Sequence, residues 1–218
     1  MATRSRIRNL KNEKAGRSQA KMAVNTEAIK ELRARTGAGM MDCRNALTEC
    51  EGNIEKAIDY LREKGLAKAA KKAERIAEQG SVFSYIHTNA KIGVLLEVNC
   101  ETDFVAKTDE FKTLGHEICM QIAAANPLYV SVEDVPAEDV EREKGIYRKM
   151  AVEEGKSAEM ADKIAEGRIN AFFQDNCLLE QNYIRDPKVK VKDLVIADIA
   201  KMGENIVVRR FARFAIGV

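Results

Sequence analysis

Cys100-Glu101-Thr102-Asp103-Phe104-Val105-Ala106-Lys107 joins two unlike patterns, and the rest of the chain is organised around that junction. Before it, the apolar run Ile92 to Val98 reads as a strand. After it, Phe111, Leu114, Ile118, Ile122 and Ala125 fall on one face at helical spacing. The octet is therefore a strand-to-helix corner. Thr102 or Asp103 supplies a side-chain oxygen to cap a first helical turn, and Thr108 caps the longer helix that follows. Phe104 then lies in a short turn between two caps. Two readings of it stand at this point: an accessible functional side chain on a rigid corner, or a staple fastening the helix start to the core.

Working outward, Ser81 to His87 and Lys91 to Asn99 read as strands joined by a tight turn at Thr88-Asn89-Ala90, a hairpin that feeds the corner. Pro127 ends the helix beyond it. Pro136 to Glu154 and Ala158 to Gln174 are charged amphipathic helices separated by Gly155-Lys156-Ser157, the pattern of a helical hairpin, with Phe172 and Phe173 near its close. An irregular stretch through Pro187 precedes a helix marked by Val191, Val195, Ile199 and Met202 and stopped at Gly203. A final strand, Asn205 to Ile216, places Val208, Ala212, Phe214 and Ile216 on one face and Arg209 and Arg213 on the other. Residues 81 to 218 thus read as an α+β core with an antiparallel sheet, flanking helices and a helical hairpin at about 136 to 175.

Upstream, Asn25 or Thr26 caps a helix through Arg35, which Thr36-Gly37-Ala38-Gly39 breaks. A second helix runs from Met40 to Cys50 with Cys43, Ala46, Leu47 and Cys50 inward. Asn53 caps a third that buries Ile54, Ala57, Ile58 and Leu61 and stops at Gly65. These define a small three-helix domain over residues 23 to 64. The alanine-, lysine- and glutamate-rich stretch 65 to 80 reads as a linker helix, with a binding surface formed by Lys68, Lys71, Lys72 and Arg75 as the alternative.

Composition narrows the function classes. Charged residues make up 32% of 218, and no apolar run is long enough to span a bilayer, which indicates a soluble, cytoplasmic protein. The five cysteines are scattered without a C-x-x-C pair and read as small buried hydrophobes in a reducing compartment. Residues 1 to 21 hold seven basic side chains against Glu13. With a net charge of +2 overall, that leaves the remainder at −4, so the folded part has no global footprint for nucleic acid. We read residues 1 to 22 as a disordered basic extension: a mis-assigned start or cloning scar, an RNA-touching tail, or a targeting segment.

Catalytic signatures fail when tested. Gly37-Ala38-Gly39 has Asp42 where a dinucleotide loop needs its third glycine, and no strand precedes it. No phosphate-binding G-x-x-x-x-G-K-[ST] occurs. His116-Glu117-Ile118-Cys119-Met120 resembles a zinc-protease helix, but Met120 stands in place of the second histidine. The sequence calls for no catalytic residue, no metal and no cofactor.

Three long stretches appear in a telling order: Arg33-Ala34-Arg35-Thr36-Gly37-Ala38-Gly39-Met40-Met41-Asp42-Cys43, then Lys68-Ala69-Ala70-Lys71-Lys72-Ala73, then Glu97 through Ala106. With Glu166-Gly167-Arg168 and the final strand, they resemble the bacterial translation elongation factor Ts family over nearly everything after residue 22. The resemblance implies a ubiquitin-associated-like three-helix domain joined to an α+β core. It also implies a guanine nucleotide exchange factor that promotes GDP release from the GTPase elongation factor Tu. It assigns partner contacts to Arg33, Met40, Met41 and Arg44 in the small domain and to Thr102, Asp103, Phe104 and Val105 at the corner. Asp103 and Phe104 would enter near the partner's magnesium site. Many relatives carry lysine where Arg44 stands, which keeps the charge but changes the donor geometry. Longer members repeat the core unit; this chain resembles the short form with one copy. A homodimer follows, with the apolar face or edge of the 205 to 216 strand as its seam and no cysteine near the C-terminus to bridge it.

Two readings from other classes compete. In one, the three-helix domain is an adaptor that recruits a peptide while the core only dimerises. In the other, the basic arm binds RNA with steep salt dependence.

Overall fold

The computed structural model describes residues 25–217, so the expected basic extension lies outside the described residues. The chain divides into two compact units, the first ending at Lys71 and the second starting at Lys72.

The first unit holds helices α1 (Thr26–Thr36), α2 (Met40–Glu49) and α3 (Ile54–Ala70). Asn25 caps α1 by accepting from Glu27 N at 3.0 Å, and Asn53 caps α3 by accepting from Lys56 N at 3.0 Å. Gly37 ends α1 in the left-handed region at φ 66°, a conformation that glycine adopts without a Cβ penalty. Leu32, Cys43, Ala46, Leu47 and Ala57 form the core, flanked by Ile29, Ile54, Ile58 and Leu61. The third helix does not stop at Gly65. It runs on to Ala70 with Gly65 buried in its interior, and residues 71 to 78 are turns and coil, so no separate linker helix spans 65 to 80. A mid-helix glycine costs only about 1 kcal/mol, and the alanines and lysines that follow are strong helix formers. A Lys68–Asp42 ion pair at 2.9 Å also ties the added turns back to α2.

The second unit is α+β. Strands β1 (Gln79–Ile86) and β2 (Ile92–Cys100) form the expected hairpin, and β5 (Ile206–Ala215) pairs antiparallel on the other side of β2, giving the order β1-β2-β5. Between β2 and β5 come α4 (Asp103–Ala106), α5 (Asp109–Ala125), a helical hairpin of α6 (Ala137–Glu153) and α7 (Ala158–Asn176), strands β3 (Asn182–Tyr183) and β4 (Asp186–Lys190), and α8 (Val191–Met202). Helix α5 packs on one sheet face. Phe111, Leu114, Ile118 and Ile122 are buried there, facing Val94, Leu96 and Val98, whereas Ala125 at the helix end is exposed. Gly115 lets α5 come this close, because a Cβ at that position would overlap the Phe83 ring.

Two features depart from the sequence reading. The stretch before α8 contains the small β3–β4 hairpin. It is secured by Gln121, whose side chain donates to Gln181 Oε1 and Asn182 O and accepts from Ile184 N. More consequentially, a bulge leaves Arg209 unpaired between Val98↔Val208 and Glu97↔Arg210. The extra residue reverses the faces of everything after it. Val208 points inward, whereas Ala212, Phe214 and Ile216, expected to share its face, point outward with Arg210, and Phe211 and Arg213 turn inward. Arg213 uses that position to donate to Ala123 O at 3.2 Å, at the negative end of α5.

The five cysteines are unpaired, four of them buried. Burial pushes the Cys119 thiol up to about 12 and the Cys177 thiol up to about 11, which suits packing rather than reactivity. Among the described residues no helix is long and apolar enough to cross a membrane.

Candidate functional site

The corner is built from two caps in series. Thr102 is extended (φ −128°, ψ 155°), and its Oγ1 accepts from Val105 N at 3.4 Å, starting α4. Thr108 closes that turn by donating to Val105 O at 2.8 Å and opens α5 by accepting from Phe111 N at 3.3 Å. Ala106 is the buried foot of the turn and Val105 is half-buried beside it. Asp103 and Phe104, one and two residues past the cap, can point only outward.

They do. Phe104 is 79% exposed, which rules out the reading in which it staples the helix start to the core. A large aromatic held this far from its own hydrophobic surface loses stabilisation that burial would supply, unless something else covers it. Asp103 is exposed beside it and pairs with Lys107 Nζ at 2.6 Å across one helical turn. The Lys107 hydrogen bond holds the Asp103 carboxyl below its ordinary value, so the corner presents a carboxylate at neutral pH.

Below the turn, the sheet ladder ends at Cys100↔Ile206, and the next residues on each strand take over with side chains. Glu204 accepts from Thr102 N at 3.0 Å and from Thr102 Oγ1 at 2.7 Å. Glu101 accepts from Asn205 N at 2.6 Å and pairs with Arg75 at 3.4 Å. Asn205 Nδ2 in turn donates to Arg75 O at 2.8 Å and Ala73 O at 3.4 Å. Sequence reasoning singled out none of Glu101, Glu204 and Asn205 as site residues. The only local sign was an acid and an amide directly after the Gly203 helix stop.

The first unit carries the other expected set. Met40 and Met41 open α2 and are 59% and 62% exposed, on a helix whose N-cap, Gly39, offers no side-chain hydrogen bond. Arg44 lies one turn after Met40 and is exposed, as is Arg33 on α1. Adjacent exposed methionines make an adaptable apolar patch with a cation next to it. The structure thus gathers Thr102 to Val105 on one turn of the second unit, and Met40, Met41 and Arg44 on one helix of the first. Among the described residues no group of three or more His, Cys, Asp or Glu is placed to hold a metal ion.

A family model described as Elongation factor TS matches residues 11–217. The chain belongs to the elongation factor Ts family. An Elongation factor Ts from Caldanaerobacter subterraneus subsp. tengcongensis is 64% identical over 194 residues, covering 89% of this chain and 97% of the relative. That of Thermoanaerobacter pseudethanolicus is 62% identical over 89% of this chain and 95% of its own length. That of Fervidobacterium nodosum is 57% identical over 90% of this chain and 100% of its own length. As a member of that family the chain is a translation elongation factor.

Proposed function

We propose that the chain is a guanine nucleotide exchange factor that promotes GDP release from elongation factor Tu in the cytoplasm during polypeptide elongation, and that it is not an enzyme. The observation that carries this reading is Phe104, a ring 79% exposed on a doubly capped turn, next to an ionised Asp103. Magnesium holds a nucleotide through near-octahedral coordination at roughly 2.0 to 2.1 Å and tolerates little displacement. A rigid aromatic pushed into the elements that position the ion and its waters weakens nucleotide binding without covalent chemistry. Linkage makes the effect reciprocal: whatever factor the protein removes from GDP affinity, GDP removes from the protein's affinity, so the exchange factor is released when nucleotide returns. Met40, Met41, Arg33 and Arg44 supply a second contact that anchors the partner.

The core acts as a homodimer. The sheet face away from α5 is apolar and uncovered: Val82 and Ile86 on β1, Leu95 on β2, and Phe214 and Ile216 at the end of β5 are all exposed. A contiguous face of that kind on a three-stranded sheet fits self-association through a two-fold axis. The observed outward turn of Phe214 and Ile216 supports the expected seam on the 205 to 216 strand, now on the face opposite to the one Val208 occupies.

The deciding experiment is the release of labelled GDP from a bacterial elongation factor Tu, with and without the full chain. Release accelerated in proportion to added protein supports the reading, and a rate that does not respond removes it.

A further inference from the structure

We propose that Glu204 is a positioning residue for exchange: its carboxylate locks the cap that aims Phe104, from a point 102 residues away in the chain. The inference rests on the exchange reading and concerns how the corner is kept rigid. Thr102 must do two things with one hydroxyl. Its oxygen accepts from Val105 N at 3.4 Å to start α4, so its proton has to be directed elsewhere. Glu204 Oε1 takes that proton at 2.7 Å, while Oε2 takes Thr102 N–H at 3.0 Å. Both hydrogen bonds are charge-assisted, and together they fix the backbone and the χ1 rotor of the capping residue.

Helix α4 spans four residues, too short to sustain itself. Its geometry is therefore imposed from outside, by groups at the end of the sheet. The sheet's last backbone pair, Cys100↔Ile206, is followed by a reciprocal exchange: Glu204 accepts from Thr102 N, and Glu101 accepts from Asn205 N at 2.6 Å. Each connection lends a carboxylate to the other's main chain. Glu204 leads directly into β5, and the residue two before it, Met202, meets Thr108 Oγ1 through its sulfur at 3.9 Å. The second cap of the corner is thus braced by the same end of α8. Glu204 is half-buried with both oxygens occupied, so its work lies in holding Thr102 rather than in touching a partner.

Glu204→Gln tests this with almost no change in shape. An amide has one acceptor oxygen, and its NH₂ must face either the Thr102 N–H, donor against donor, or the Thr102 hydroxyl, where it competes with Val105 for the oxygen lone pairs. In labelled-GDP release from elongation factor Tu, titrated with full-length protein, Glu204→Gln lowers the plateau rate about tenfold, in keeping with the loss of a charge-assisted hydrogen bond. The half-saturating concentration stays within about twofold, because the first-unit contacts are untouched. A merely structural role gives the opposite pattern. An unfolded fraction reduces the active concentration and raises half-saturation but leaves the plateau where it was. Combined with Phe104→Ala, Glu204→Gln costs nothing further, since it acts through that ring. Thr102→Val, which removes only the hydroxyl, reproduces the lowered plateau. A full plateau in Glu204→Gln and Thr102→Val, or losses additive with Phe104→Ala, overturns the inference while leaving the exchange reading in place. Failure of the wild-type chain to accelerate release overturns both.

Discussion

Phe104→Ala separates function from folding, because the ring lies almost wholly outside the protein's own core. Fully burying a phenylalanine is worth about 1.5 to 3 kcal/mol. Here 79% of that burial is still to be gained when a partner covers the ring. About 1.2 to 2.4 kcal/mol of docking energy is therefore at stake, and at about 1.36 kcal/mol per decade its loss slows partner-stimulated GDP release by about 10- to 50-fold. The remaining fifth of the ring's surface accounts for only about 0.3 to 0.6 kcal/mol of the protein's own stability, or about 1 to 2 °C in melting temperature. The assay is stopped-flow release of labelled GDP from elongation factor Tu, paired with a circular-dichroism melt of the same preparation. A variant that melts within 2 °C of wild type yet releases GDP at the wild-type rate refutes the reasoning. So does a variant that loses several degrees, because the ring would then be supporting its own core.

The remaining predictions concern stability and assembly. Asp198, set between α8 and α5, has its carboxyl pushed from 3.8 up to about 6 by burial, with Glu110 adding to the rise and Lys201 opposing it. A folded-state value above the unfolded one means that Asp198 favours folding fully below about pH 3.8 and that this contribution is lost as pH rises through 6. Asp198→Asn therefore stabilises the protein at pH 7 to 8 by about 1 to 2 kcal/mol after allowance for solvent screening, and the gain vanishes below about pH 4, as urea titrations across that range would show. Gly115→Ala forces a methyl group into the Phe83 ring, and about 1 to 3 kcal/mol of overpacking outweighs about 1 kcal/mol of helix propensity. Its melting temperature falls by a few degrees; a rise would show that the ring moves aside freely. Phe214→Glu places a charge on the uncovered sheet face and shifts sedimentation velocity from dimer to monomer at micromolar concentration, with the circular-dichroism spectrum unchanged. A wild-type chain that sediments as a monomer refutes the dimer outright.

What could be read from the sequence was local. Asn25, Asn53, Thr102 and Thr108 all cap the helices they precede, because a cap is decided within three residues of itself. The β1–β2 hairpin and the buried face of α5 followed from periodicity for the same reason. What escaped was settled at a distance. Helix α3 passes Gly65 partly because Lys68 finds Asp42 on another helix. The β3–β4 hairpin has too few residues for a period and is held by a glutamine on α5. The bulge at Arg209 exists only relative to β2, so no inspection of β5 alone exposes it. At the candidate site the division is the same: the capped turn was legible, but spacing left open whether its ring faced the core or solvent, and the carboxylate that meets its cap comes from a residue 102 positions further along the chain.

The unpaired Arg209 also has a meaning for how this protein can change. It is a phase slip: even-numbered positions face the interior before it, at Ile206 and Val208, and odd-numbered positions do so after it, at Phe211 and Arg213. Deleting Arg209 would close the bulge and leave every other pair with β2 in place, Phe214 still outward and Arg213 still inward, whereas drawing Arg209 into a regular ladder opposite Glu97 would swap inside for outside along the whole distal half of β5. The proposed self-association surface thus survives loss of the bulge residue, and substitutions at Ala212, Phe214 and Ile216 can retune it gradually without disturbing the packed side.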